Sequence, residues 1–138
     1  MRLLVDANIF LEVILDRARA DEARSILAAA DRHDLFISAF SFHSIGVILF
    51  RLKRHELFQQ FISDMILDAG TIVIALSAED IQDMTAAARK FNLDFDDAYQ
   101  YVAAEKYHLT IVSFDSDFDR TDLGRKTPGE VLRDSSGK

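Results

Sequence analysis

Three aspartates, far apart along the chain, are the residues best suited to chemistry. Asp6 directly follows the apolar run Leu3-Leu4-Val5, Asp97 stands at the opening of a helical stretch, and Asp115 follows Thr110-Ile111-Val112-Ser113. Clustered carboxylates repel, so each resists ionising beside the others. A hard divalent cation relieves that repulsion. Mg²⁺ and Mn²⁺ prefer oxygen ligands, and Mg²⁺ keeps several waters in its shell. Such a cation can hold a phosphate oxygen, lower the pKa of a bound water and stabilise a leaving oxygen. The reaction that suits this set is phosphodiester hydrolysis. Each acid alone also has an ordinary structural alternative. An Asp after a strand caps the next helix, Asp96 and Asp97 are at home in a first helical turn, and Asp115-Ser116-Asp117 could be a turn. Convergence of all three is what distinguishes a site from three caps.

For these acids to meet, the elements around them must form an open parallel sheet, whose sites lie beyond the carboxyl ends of its strands. Strands are expected at Leu3–Val5, Leu35–Ser38, Thr71–Ala75 and Thr110–Ser113, with a short last one at Val131–Leu132 after the single proline, Pro128. Helices are expected at Ile9–Leu15, at Asp21–Ala30, and from Phe40 to Ala69 with a break near Arg54-His55. Two more follow, from Ser77 to about Lys90 and from Asp96 to about Tyr107, joined by a linker over 91–95. Ser77 has the features of a cap, with Glu79 and Asp80 in the first turn. Strands alternating with helices imply an α/β domain: a central parallel sheet of about four to five strands flanked by helices. One such domain is expected over residues 1–133, with 134–138 as a frayed tail.

The bulk properties agree with this. The chain has 138 residues, 49% of them hydrophobic and 28% charged, which suits one globular domain. No run of about 18 apolar residues offers a membrane span, and an acid at position six is unlike a signal peptide. Cysteine is absent, which excludes disulfides and thiolate metal sites and makes a reducing cytoplasm the simplest compartment. The net charge of 16 − 23 = −7 argues against a general nucleic-acid binder, but acids gathered at a metal site inflate the negative count.

Val5-Asp6-Ala7-Asn8, Leu93-Asp94-Phe95-Asp96-Asp97-Ala98 and Ile111-Val112-Ser113-Phe114-Asp115-Ser116-Asp117-Phe118 together resemble the PIN-domain family, which includes the VapC-type toxins of toxin–antitoxin pairs. The resemblance spans almost the whole chain in order and spacing. It implies a Mg²⁺- or Mn²⁺-dependent ribonuclease with RNA as substrate, an antitoxin protein as partner and a homodimeric state. The family's acids fall on Asp6, Asp97 and Asp115, with Asp117 on a less constant acid of the last motif. Asn8 matches a polar position that is either a direct participant or a helix cap. Ser113 matches a hydroxyl that could orient a carboxylate. Asp94 is a further nearby acid, with an exposed loop residue as its plain alternative.

One position departs from the family pattern. A glutamate is expected in the helix after the second strand, and Ile37-Ser38-Ala39-Phe40-Ser41-Phe42-His43 leads instead to Ser44. Ser44 can hydrogen-bond but carries no charge. His43 is about 100° away on the helix and is expected to point elsewhere. Loss of one carboxylate makes a degenerate domain, binding RNA or protein without cutting, the second reading. The basic strip Arg51-Leu52-Lys53-Arg54-His55, expected along the same helix, is either a phosphate contact or, slightly favoured, a solvated helix end. A receiver-like signalling domain would want an acid pair after the first strand, an acid after the middle strand and a late lysine, and Asp6-Ala7-Asn8 and Thr71–Ser77 do not supply them.

Overall fold

The computed structural model describes residues 1–136, with side chains through residue 135. Four strands form one sheet: β1 (Arg2–Val5), β2 (Asp34–Ser38), β3 (Ile72–Ile74) and β4 (Thr110–Val112). Their order is β3-β2-β1-β4 and every pairing is parallel. Leu3 and Val5 fall in one buried cluster and Leu4 in another, because successive side chains on a strand point to opposite faces. Both faces are covered, so β1 reads as an unbroken apolar run.

Against the first face pack α1 (Ala7–Ile14), α2 (Ala20–Leu27), α3 (Ala39–Arg51) and α4 (His55–Phe61), contributing Ile9, Phe10, Ile26, Ile45, Leu49 and Phe61 to the core. Against the second packs α6 (Phe95–Tyr107) through Ala103 and Ala104, beside Ile111 and Phe118. Small residues here let the helix approach the sheet closely. α5 (Ala78–Phe91) lies over α6, burying Met84 against Ala98, Tyr99 and Tyr101. The capping box of α5 is complete: Ser77 Oγ accepts from Asp80 N at 3.2 Å and Asp80 Oδ2 accepts from Ser77 N at 2.9 Å. Asn92 ends that helix with φ +53°, a conformation asparagine tolerates.

Three expectations need correction. The apolar pair Val131-Leu132 belongs to α7 (Pro128–Ser136) and not to a strand, so the sheet has four strands among the described residues. Pro128 opens that helix, where its missing N–H costs nothing. α7 also continues three residues beyond the boundary expected at 133; residues 137 and 138 lie outside the described residues. Finally, Arg51-Leu52-Lys53-Arg54-His55 does not lie along one helix. Arg51 ends α3, His55 begins α4, and the exposed segment between them turns the chain through Lys53 at φ +56°. After α4 the backbone widens over Ile62–Asp68 into a π-helical stretch, where Ala69 N reaches back five residues to Asp64 O at 3.0 Å.

Candidate metal centre

The sheet register sets the floor of the site. Val5 lies opposite Val112, so the residues that follow them, Asp6 and Ser113, emerge side by side at the carboxyl edge. Asp6 N donates to Val112 O at 3.0 Å and continues the pairing by one bond. Asp6 then caps α1, its Oδ1 accepting from Ala7 N at 2.8 Å. Its other oxygen, Oδ2, accepts from the Ser113 hydroxyl at 2.6 Å. That hydroxyl itself accepts from Asn8 Nδ2 at 3.1 Å and from Asp115 N at 2.9 Å. With both lone pairs engaged, the single hydroxyl proton is directed onto Asp6. Asn8 is therefore not a helix cap. It bridges Ser113 and, through Oδ1, Phe114 N at 3.4 Å.

The rim comes from α6 and from the turn after β4. Asp94 caps α6, accepting from Asp97 N at 3.3 Å. Asp97 follows in the first turn and is buried, 4% exposed. Asp115 caps a short 3₁₀ turn over Ser116–Arg120 by accepting from Asp117 N at 2.9 Å. The caps that local sequence suggests are thus real, and they coexist with convergence. Carboxylate oxygens of Asp97, Asp115 and Asp117 lie within 4.8 Å of one another, as do those of Asp94, Asp96 and Asp97. Asp97 belongs to both groups. Asp6 lies beside them, close enough to Asp115 and Asp94 for their charges to act on it.

The electrostatic cost of this crowding is visible in the acids. Burial, then the adjoining Asp115 carboxylate, then Asp96 and Asp94, push Asp97 up to about 9. Asp6 is pushed up to about 6 by burial, against the opposing pull of the Ser113 and Ala7 hydrogen bonds. Asp96 is also raised to about 6, by burial and by its hydrogen-bonded neighbour Asp94, which is correspondingly lowered. Asp117 pairs with Arg120, whose Nη1 donates to it at 2.9 Å.

The donor set fits a hard divalent cation: oxygen atoms alone, with excess negative charge. A second observation agrees. Gln100, 1% exposed, donates from Nε2 to Asp6 Oδ1 at 3.4 Å, while its Oε1 is buried with no hydrogen-bond partner. Gln100 was not among the residues singled out from sequence. The available signal was its place one turn after Asp97, on the same face of α6, where neighbouring buried positions are alanines and tyrosines. Ser44, the position expected to be glutamate, is half-buried and lines an open groove with Phe40, His43, Val47, Ile48, Arg51 and Asp96. It thus faces the acidic rim across Asp96. His43, expected to point elsewhere, is exposed on the same groove.

Residues 3–123 match the family model described as PIN domain. Solved structures share the fold. A toxin–antitoxin complex from Klebsiella pneumoniae aligns with TM-score 0.69 at 23% identity, covering 93% of this chain and 98% of that one. VapC20 of Mycobacterium tuberculosis, described as a Sarcin-Ricin loop cleaving toxin, aligns with TM-score 0.73 at 16% identity over 88% and 95% of the two chains. VapBC2 of Rickettsia felis, solved with a DNA fragment from its promoter, aligns with TM-score 0.72 at 17% identity over 91% and 97%. No curated protein matches the sequence.

Proposed function

Because the chain belongs to the PIN-domain family, we propose that it is a metal-dependent endoribonuclease and the toxin of a toxin–antitoxin pair, acting in the cytoplasm. The observation that carries this reading is the meeting of Asp97, Asp115 and Asp117 within 4.8 Å, beside Asp6, from three separate parts of the chain. Asp6, Asp97, Asp115 and Asp117 would hold Mg²⁺ or Mn²⁺, and Asp94 adds charge at the rim. When bound, the cation supplies charge neutralisation for a scissile phosphate and acidifies a coordinated water. The chain's own residues prepare for it. Ser113 holds Asp6 in one orientation, Asn8 holds Ser113, and Ser44 faces the groove along which RNA would approach. Support for RNA as substrate and for a protein antitoxin comes from the fold shared with VapC20 and with toxin–antitoxin complexes. Among the described residues no helix is long and apolar enough to cross a membrane.

A homodimer belongs to the same reading. Val47, Phe50 and Leu52 of the α3 end are about half exposed, and a second copy would cover such a surface. Sedimentation of the purified chain tests this.

The second reading, a domain that binds without cutting, is favoured by Ser44 alone. Calorimetric titration with Mn²⁺ separates the two without knowledge of the substrate. Binding by the wild type, lost in Asp6→Asn and Asp97→Asn, is the expected result. No binding at millimolar Mn²⁺ makes the non-cutting module the better account. With binding established, Ser44→Glu is expected to raise cleavage of an RNA substrate above the wild type.

A further inference from the structure

Gln100 presents a polar group that the fold has buried and left half unused. Its amide stands at the floor of the acidic mouth, one turn along α6 from Asp97, with Nε2 3.4 Å from Asp6 Oδ1. Asp6 Oδ1 also accepts from Ala7 N, and Oδ2 from Ser113, so the Gln100 N–H is one of three donors that orient Asp6. Gln100 Oε1, by contrast, has no donor. Exchanging the amide oxygen and nitrogen does not repair this. It would set an acceptor against a carboxylate and bury two unsatisfied donors instead of one acceptor. Among the described residues only Thr71 Oγ1 shares this condition, and a hydroxyl can turn to a new partner where an amide cannot. Leu or Met would fill the position without leaving an orphaned acceptor. A buried neutral acceptor kept beside Asp6 can receive a proton-bearing ligand without adding another negative charge to the acidic cluster.

We infer that Gln100 is a positioning residue of the metal centre, steadying Asp6 through its N–H and accepting through Oε1 from the hydration shell of the cation. This rests on the reading of the acidic cluster as a cation site. A hydrated Mg²⁺ or Mn²⁺ would present only donors outward, which the carboxylates of the cluster and Gln100 Oε1 could accept. Gln100 Oε1 is a neutral acceptor on the same amide that reaches Asp6, and it is buried from bulk water. Partners of this kind orient what the metal carries, and losing one typically weakens metal affinity by about 10- to 100-fold.

The test compares wild type, Gln100→Met and Gln100→Glu by Mn²⁺ calorimetry, with thermal melting of each metal-free protein alongside. Met has nearly the same length and no comparable acceptor. Glu keeps an acceptor at the same reach and loses the N–H. The expected result is a Met variant whose metal-free melting temperature is equal to or above the wild type, and whose Mn²⁺ dissociation constant rises by about 10-fold or more. The Glu variant recovers most of that affinity. Equal affinity in wild type and Gln100→Met overturns the inference while leaving the cation reading intact, and shows that an ordinary buried water serves Oε1. Affinity lost in both variants together with melting temperature also overturns it, because Gln100 is then only part of the scaffold. Should the Met variant fail to fold, the Glu variant decides: retained Mn²⁺ binding supports the inference and lost binding overturns it. A wild type that binds no Mn²⁺ overturns this inference and the cation reading together.

Discussion

At the floor of the acidic mouth, Asp6 accepts from Ala7 N, from the Ser113 hydroxyl and from Gln100, and Ser113 in turn accepts from Asn8 and from Asp115 N. At the rim, a few ångströms away, Asp94, Asp96, Asp97 and Asp115 lean on one another, with Arg120 on Asp117 as the one ion pair shown for these acids. Each region is centred on aspartate, one at the floor and several at the rim. They differ in what answers the charge. Both Asp6 oxygens meet donors, while Gln100 Oε1 beside them does not. Rim carboxylates accept cap hydrogen bonds but also crowd one another, so their mutual repulsion is borne by the rest of the fold. Aspartate thus meets mainly donors in one region and mainly its own kind in the other, while burial raises the cost of its charge in both.

The largest effects should come from exchanging these roles. Asp97→Asn removes a member of both acidic groups. Cleavage is expected to fall by more than the roughly 100-fold typical of outer-shell losses. The metal-free protein should nevertheless melt at a higher temperature, since a repelling acid has gone. Ser113→Ala should do the reverse at the floor. It strands Asp6 Oδ2, Asn8 Nδ2 and Asp115 N, and leaving a buried group unsatisfied costs about 1–3 kcal/mol each. Melting curves of the two variants should move in opposite directions, and movement in the same direction would break the distinction between floor and rim.

The pH dependence sharpens the contrast further. Asp97 is raised to about 9, and Asp6 and Asp96 to about 6, from an ordinary value of 3.8. Raised acids bind more protons in the folded chain than in the unfolded one, so stability falls as pH rises through that interval. The metal-free melting temperature should thus decline between about pH 4 and 9 (steepest near its lower half, where three acids contribute), and saturating Mn²⁺ should flatten the decline. Cation binding should release protons, which titrations in buffers of different ionisation enthalpy would reveal. The smallest effect belongs to Arg120→Ala. Its pair with Asp117 is about half exposed on both sides, and such pairs are worth about 0–1 kcal/mol. Freed of its competitor, Asp117 should let Mn²⁺ bind slightly more tightly, by no more than about fivefold.

The parts of the molecule that sequence made legible are those where one local signal suffices. β1 is an apolar run that stops at an acid, β4 is a β-branched run with Asp115 three residues beyond its end, and α5 carries its capping box openly in Ser77–Asp80. The acids Asp6, Asp97 and Asp115 could be placed at one edge because parallel strands share a carboxyl end. Where two signals competed, the reading failed. Val131-Leu132 looks like a strand, yet Thr127-Pro128-Gly129-Glu130 is itself a helix start: Glu130 Oε1 accepts from Thr127 N at 3.1 Å and Thr127 Oγ1 accepts from Glu130 N at 3.3 Å. Asn8 stayed ambiguous because its partner Ser113 is 105 residues away. Gln100 gives no sign of its partner in the sequence for a like reason: its contact with Asp6 spans 94 residues. The π-helical widening over Ile62–Asp68 has no composition of its own to announce it.

The hydrogen bond between Asp6 and Ser113 joins residues 107 positions apart, and this separation has a consequence for birth as well as for shape. On the ribosome, Asp6 emerges long before β4 exists to orient it, and no shorter nascent chain contains both halves of the floor. Pairings between such distant segments also close slowly once they become available. Whatever this mouth does to a cellular target, it begins only when synthesis has passed Asp115, which gives any co-translated guardian a head start measured in translation time.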